Sequence, residues 1–194
     1  INVAACLIVL LGSLLGTESP LTITQMLWVN LIMDTFAAGA LASLPPNERV
    51  MKDKPRRSGK DGDFIITRPM AYNIFGVGFA FVVILMGLLF YFHAQDGLTP
   101  HDLSWFFSFF VMLQFWNMFN AKAFMEGRSA FANLKDSKSF LLVALLILIG
   151  QYLIVTFGGE MFSVIPLPLE DWAIIIGSSS LVLWIGELFR LFKR

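Results

Sequence analysis

The chain has 194 residues, of which 57% are hydrophobic and only 14% are charged. This composition is rare in soluble domains and typical of an integral membrane protein. Basic and acidic residues number 14 each, so the formal net charge is zero and by itself says nothing about nucleic acid. For a membrane protein of this kind we expect no nucleic-acid partner. The single cysteine, Cys6, excludes an intrachain disulfide and a cysteine metal cluster.

The first apolar run covers about residues 1–15 and is too short to cross a membrane alone. It has neither an initiating Met nor the basic start of a signal peptide. We therefore expect it to be the second half of a helix in a longer protein.

Five longer apolar runs follow, and each is predicted to be a transmembrane helix. About twenty residues suffice for a hydrocarbon core of about 30 Å, with some tilt allowed. The predicted helices cover residues 22–44, 70–92, 103–120, 139–157 and 171–190. The expected fold is thus an all-α integral membrane protein.

The basic residues predict the orientation of these helices. Seven fall within 49–68, four within 122–138 and three within 190–194, whereas the alternate loops carry none. Lys and Arg are enriched in cytoplasmic loops. Residues 45–69, 121–138 and the C-terminus are therefore predicted to be cytoplasmic. Near that last end, Glu187 and Arg190 lie three residues apart and are predicted to pair.

Asp34 lies near the middle of the predicted helix 22–44. An ionised carboxylate at that depth costs several kcal/mol and usually marks an ion or proton pathway. Asn30 lies one helical turn earlier, so both side chains share a face. The pair indicates part of a site for a hard cation such as Ca²⁺, which prefers six to eight oxygen ligands. The alternative is a protonated Asp34 that is hydrogen-bonded to a neighbouring helix.

Other polar side chains at membrane depth are candidates for supporting that site. Gln114, Asn117 and Asn120 form one strip of the helix 103–120, and Asn2 lies in the first apolar run. They either hydrogen-bond helices together or support an ion site indirectly. The sequence shows no nucleophile–base pair and no phosphate-binding loop, so no catalytic or cofactor-binding residue is predicted.

Residues 25–35, QMLWVNLIMDT, resemble the sixth membrane helix of P-type calcium-transporting ATPases. Residues 45–57 resemble the loop after that helix. Residues 157–172 resemble the loop before the tenth helix, most closely in the plasma-membrane type. The resemblance implies half of the fifth helix followed by the sixth to tenth helices of such a pump.

The same resemblance implies roles for individual residues. Asn30 and Asp34 match ion ligands of the family, and Asn2 matches a polar residue of the fifth helix. Three ligands of the first calcium site in the sarcoplasmic-reticulum type are replaced, and Ala5, Met33 and Gln114 stand at their positions. The resemblance therefore implies a single Ca²⁺ site, half of which would come from a fourth helix outside this chain.

For the intact protein, the resemblance implies an ATP-driven pump that exports Ca²⁺ from the cytoplasm and uses ATP and Mg²⁺. The implied partners are the first to fourth helices, the cytoplasmic domains of the same pump and the lipid bilayer. The chain alone is expected to be inactive. Because the sequence ends at Arg194 without the long regulatory tail of animal pumps, a bacterial plasma (inner) membrane is expected.

Two interpretations from other classes compete with the pump. The first is a channel or secondary transporter that is not an ATPase and uses Asp34 as an ion or proton relay. The second is a membrane scaffold in which Asp34 is neutral and buried. Neither accounts for the loop resemblances.

Overall fold

A computed structural model describes residues 2–14, 16, 19–44, 66–126 and 128–192. The all-α prediction is confirmed, and no strand occurs within those ranges. The α-helices are α1 (Asn2–Leu14), α2 (Ile23–Trp28), α3 (Ala37–Ala42), α4 (Arg68–Asp96), α5 (Pro100–Glu126), α6 (Lys138–Phe157), α7 (Gly159–Phe162), α8 (Leu169–Ser179) and α9 (Leu181–Phe192). Residues Val29–Phe36 form a π-helix between α2 and α3, here called the π segment, and Leu134–Asp136 form a short 3-10 helix.

Two of these helices are capped at their N-termini by side chains. Thr22 and Gln25 form a reciprocal capping box at the start of α2. Thr67 caps α4 by accepting a hydrogen bond from the Met70 backbone N–H, and a proline follows in the first turn. Both caps satisfy backbone N–H groups that have no partner inside the helix.

Several predicted boundaries differ from the observed ones. Helices α4 and α5 extend beyond the predicted 70–92 and 103–120 at both ends, so residues 121–126 are helical and not part of a loop. The prediction followed the apolar runs, whereas helical hydrogen bonding continues into polar residues until a breaker such as Gly97. Predictions for residues 45–65 lie outside the described residues.

Two predicted helices are also interrupted. The predicted helix 22–44 consists of α2, the π segment and α3, and the predicted helix 171–190 is divided into α8 and α9 at Ser180. Apolar periodicity does not resolve such interruptions, because the amino-acid pattern is compatible with an unbroken helix.

Helix α5 lies at the centre of the fold. It packs against α4, α6, α8 and α9, and it also contacts α3 and the π segment. Ten consecutive residues, from Phe106 to Phe115, are buried. Because protein surrounds α5 on several sides, this helix tolerates polar side chains that a lipid-facing helix would not.

Among the described residues, three helices are long and apolar enough to cross a membrane, namely Arg68–Gln95, Lys138–Phe157 and the combined α8 and α9, Leu169–Phe192. Helix α5 falls outside this set although it has 27 residues, since polar residues interrupt its apolar sequence. Helix α1 is shorter, with 13 residues. These three helices place the chain among integral membrane proteins.

Candidate cation site in the membrane

The structure joins two of the predicted site residues. The side-chain amide of Asn2 donates a hydrogen bond of 2.7 Å from Nδ2 to Oδ2 of Asp34. Asn2 begins α1, whereas Asp34 belongs to the π segment, so the contact connects two helices. A polar group of another helix is thus the hydrogen-bond partner of the Asp34 carboxylate.

The two residues lie at matching distances from helix ends. The end of α1 at Leu14 and the start of α2 at Ile23 are predicted to face the outside. Asn2 lies about 18 Å from the first and Asp34 about 17 Å from the second, at about 1.5 Å per residue. Because the hydrocarbon core is about 30 Å thick, both side chains are expected near the middle of the membrane.

Asn30 and Asp34 both belong to the π segment. The Asn30 side chain is exposed and the Asp34 side chain is half-buried, and Asn2 is exposed as well. These three residues, here called the polar cluster, thus lie at the edge of the bundle, and among these described residues no hydrogen bond joins Asn30 to Asn2 or to Asp34. π-helices are rare and frequently occur at functional sites.

Within the part of the chain that the structure describes, no ion pair joins Asp34 to a basic side chain. All 14 Lys and Arg residues fall within 49–68, 122–138 and 190–194 of the sequence, outside the middle of the predicted helices. A carboxylate in a low-dielectric region is costly unless it is paired or binds a cation. Across the described ranges, no three His, Cys, Asp or Glu side chains are grouped to hold a metal. Oxygen ligands for a cation would therefore be one carboxylate and neighbouring amides.

The other predicted supporting residues do not bond to this cluster. Gln114 is only 1% exposed, and neither its Nε2 nor its Oε1 has a hydrogen-bond partner in the described ranges. Asn117 is half-buried, and no hydrogen bond joins it to Asn30 or Asp34. Gln114 thus remains a buried amide with unused donor and acceptor capacity.

Asn120 lies on the same strip of α5 and forms hydrogen bonds to α9. Its Nδ2 donates to the Val182 carbonyl oxygen at 3.0 Å, and its Oδ1 accepts from Arg190 at 2.8 Å. Arg190 also donates to Glu187 at 2.7 Å, which confirms their predicted pairing. Glu187 in turn accepts a bond from the Ala130 backbone N–H at 2.6 Å. This network holds α5, α9 and the segment after α5 together.

One hydrogen bond beside the π segment, between α2 and α6, was not predicted from the sequence. The indole Nε1 of Trp28 donates to Oε1 of Gln151 on α6 at 3.0 Å. Trp28 directly precedes the π segment. The sequence feature that could have indicated this contact is the pair Gly150 and Gln151, which interrupts an aliphatic run.

Comparison with known families gives one match that covers most of the chain. The family described as "Cation transporting ATPase, C-terminus" matches residues 18–192. The match includes the π segment with Asn30 and Asp34, and Asn2 lies before it.

Individual relatives match over nearly the whole chain. The chain is 35% identical over 201 residues to plasma membrane calcium-transporting ATPase 1 of Mus musculus, which covers 97% of this chain. It is also 35% identical over 195 residues to plasma membrane calcium-transporting ATPase 2 of Oreochromis mossambicus and to plasma membrane calcium-transporting ATPase 3 of Homo sapiens, each covering 94% of this chain. The chain spans about 16% of the length of the Mus musculus relative.

Proposed function

The chain belongs to the family of the C-terminal region of cation-transporting ATPases, and on that premise we propose that it is part of an ATP-driven pump that exports Ca²⁺ from the cytoplasm. The observation that carries the proposal is the hydrogen bond from Asn2 to the Asp34 carboxylate, which has no ion-pair partner among the described residues. The predicted mid-membrane depth of Asp34 supports it. The similarity to calcium-transporting ATPases supports Ca²⁺ as the transported ion.

We propose that Asn30 and Asp34 are ligands of the transported ion and that Asn2 supports them. Carboxylate and amide oxygens are the ligand types that Ca²⁺ prefers. With an ion present, the Asn2 amide would turn its oxygen toward the ion, and Asp34 would supply the negative charge. These side chains provide only part of six to eight ligands, so we propose that a fourth helix supplies the remainder at the exposed side of the cluster.

We also propose that the pump carries one Ca²⁺ per cycle. A second ion at the buried end of the cluster would need further negative charge close to Asp34. Ala5 is 2% exposed and apolar, and Gln114 is buried and neutral. Neither supplies that charge, whereas Gln114 could still support the single site through its free amide.

The remaining activity is assigned to other parts of the intact pump. We propose that ATP and Mg²⁺ bind in cytoplasmic domains and that the first to fourth helices complete the transport path. The similarity to proteins of which this chain spans about 16% supports this division. The chain alone is expected to show no ATP hydrolysis.

The proposed location is a plasma membrane, with residues 45–69, 121–138 and the C-terminus on the cytoplasmic side. The distribution of Lys and Arg supports this orientation. A bacterial source stays a prediction, since the relatives named above are animal proteins.

The substitution Asp34→Asn in the intact pump tests the site, because it removes the charge at nearly constant shape. The calcium concentration for half-maximal phosphoenzyme formation should rise by more than about 100-fold, since even indirect partners of a metal site contribute about 10–100-fold. The measurement is phosphoenzyme formation from labelled ATP across a calcium titration.

Ser108→Ala is the matched control, because Ser108 is buried at membrane depth and bonds only to the Ser104 carbonyl of its own helix. It should leave the calcium titration unchanged. An unchanged titration for Asp34→Asn would exclude the proposed site. Calcium flux without any phosphoenzyme would instead support the channel or secondary transporter.

A further inference from the structure

We propose that Trp28, Gly150 and Gln151 form an anchor between α2 and α6 that positions the π segment for ion binding. These three residues are called the α2–α6 anchor. They are positioning residues, since they lie outside the cluster of Asn2, Asn30 and Asp34. The proposal rests on the proposed function, because it assigns the anchor a role in calcium affinity.

The first contact of the anchor is a close approach between an indole ring and a helix backbone. A Cβ atom at Gly150 would lie 2.7 Å from Cη2 and 3.0 Å from Cζ2 of Trp28. The first distance is shorter than real Cβ contacts and the second is at their short limit, so a side chain at Gly150 would force the indole to shift. The Trp28 ring therefore packs closely on α6 at Gly150.

The second contact is the hydrogen bond between the same ring and the next residue of α6. Trp28 Nε1 donates to Gln151 Oε1 at 3.0 Å, and Gln151 is fully buried. The ring thus contacts α6 through its Cη2 and Cζ2 carbons and through its Nε1. An indole fixed in this way has little freedom to rotate, and Trp28, the last residue of α2, is fixed with it.

Stability accounts for only part of the Gln151 side chain. Its Oε1 accepts the Trp28 N–H, but its Nε2 is buried and has no hydrogen-bond partner among the described residues. A buried unpaired donor carries a desolvation cost. A requirement for the indole to occupy one defined position explains why an amide stands among the aliphatic residues of α6.

The outer end of α2 is also attached to distant parts of the chain. Gln25 belongs to the capping box with Thr22 and also donates from Nε2 to the Phe162 carbonyl oxygen at 2.9 Å. Helix α2 is therefore held near its start by α7 and at its end by α6. The π segment begins at Val29, immediately after the second attachment. Asn30 follows Trp28 by two residues, so displacement of the anchor should move the site.

A double substitution tests the anchor in the intact pump. Gly150→Ala should displace the indole and raise the calcium concentration for half-maximal phosphoenzyme formation by about tenfold, comparable to the loss of an indirect partner of a metal site. Trp28→Phe removes the part of the ring that contacts Gly150 and also removes the N–H. In the Trp28→Phe background, Gly150→Ala should therefore add less than about twofold to the same quantity.

Gln151→Leu separates positioning from stability. It removes the unpaired Nε2 but also leaves the Trp28 N–H without its acceptor, so one unpaired donor replaces another and the melting temperature in detergent should change little. We nevertheless expect calcium affinity to fall by about tenfold while the maximal phosphoenzyme level at saturating calcium is kept. A merely structural role would change the melting temperature and leave the calcium titration unchanged.

Two matched controls lie away from the π segment. Trp116→Phe removes an equivalent indole bond, from Nε1 to Ser179 Oγ at 3.1 Å between α5 and α8. Gly177→Ala adds a Cβ where no atom lies within 4 Å. Both should leave the calcium titration unchanged.

These outcomes distinguish a failure of the proposed anchor from a failure of the proposed calcium site. If Asp34→Asn lowers calcium affinity but the effects of Gly150→Ala and Trp28→Phe simply multiply, the anchor is wrong and the proposed function stands. The anchor is equally contradicted if Gln151→Leu leaves calcium affinity unchanged. If Asp34→Asn itself has no effect, the calcium site is wrong, and the positioning role is rejected with it.

Discussion

The Asp34 carboxylate depends on a residue of another helix for its polar contact. Asn2 donates to it across the gap between α1 and the π segment. Hydrogen bonds to an ionised group contribute more than those between neutral groups. In the proposed site, Asn2 therefore orients the carboxylate and could also present its own oxygen to the ion.

The substitution Asn2→Ala tests this contribution. Loss of the amide should lower the calcium affinity of the intact pump by about 10–100-fold, the range for partners that orient a metal ligand. The effect should be smaller than that of Asp34→Asn, since the charge is kept. A calcium titration of phosphoenzyme formation measures both variants.

Ser13→Ala is the control for that experiment. Ser13 lies near the outer end of the same helix and its side chain is exposed. If Asn2→Ala behaved like Ser13→Ala, Asn2 would be a helix-packing residue without a role in ion binding.

The polar residues were predictable because each stands out in an apolar run. Asn2, Asn30 and Asp34 are identified by composition alone, and their depth follows from the helix rise. The bond between Trp28 and Gln151 joins residues 123 positions apart, and it depends on how α2 and α6 are aligned. No local pattern carries that information, so the anchor required the structure.

At the scale of helices, the interruptions matter most. The π segment contacts α3, α5 and α6, and its sequence contains no glycine or proline that would signal a change from α-helix. The packing of the surrounding helices, and not the local sequence, therefore determines its hydrogen bonding. Apolar periodicity alone predicted one continuous helix for this reason. The break at Ser180 similarly divides a predicted helix into α8 and α9.

The contact between α5 and α9 is a place where one added methyl group should destabilise the fold. A Cβ at Gly186 would overlap the Asn120 side chain, whose Cγ would lie 2.8 Å away. Asn120 is held there by Val182 and Arg190 and is not free to move. We expect Gly186→Ala to destabilise the protein by about 1–3 kcal/mol, measured as a lower melting temperature in detergent.

Gly177→Ala in the neighbouring helix provides the comparison, since a Cβ there meets no atom within 4 Å. That change should be neutral or stabilise by about 0.5–1 kcal/mol, because alanine favours the helix. Combining Gly186→Ala with Asn120→Ala should recover part of the loss. Equal melting temperatures for both glycine variants would disprove the packing argument.

Across the whole molecule, polar and apolar surfaces are distributed as a bilayer requires. One face of α6 is exposed and aliphatic, including Leu142, Leu145, Leu146, Ile149 and Leu153. The centre of the fold is occupied by α5, which carries the polar strip. The basic residues fall within 49–68, 122–138 and 190–194 of the sequence, and the orientation that they indicate stays a prediction.

The orientation can be tested with cysteine labelling in intact cells. Cys6 is first replaced by alanine, in a pump without other reactive cysteines. Glu160 and Lys135 are exposed and lie in loops predicted to face opposite sides. An impermeant thiol reagent should label Glu160→Cys from outside and label Lys135→Cys only after permeabilisation. The reverse pattern would invert the proposed topology.

The depth of Asp34 has an electrical consequence. A carboxylate about 17 Å from the outer end of its helix lies about halfway through the hydrocarbon core. A divalent ion that reaches it from either side crosses about half of the transmembrane voltage, an energy of about 2.3 kcal/mol per 100 mV. Occupancy of this position should therefore respond to membrane potential, and the ion's route to Asp34 would be coupled to the voltage of the cell.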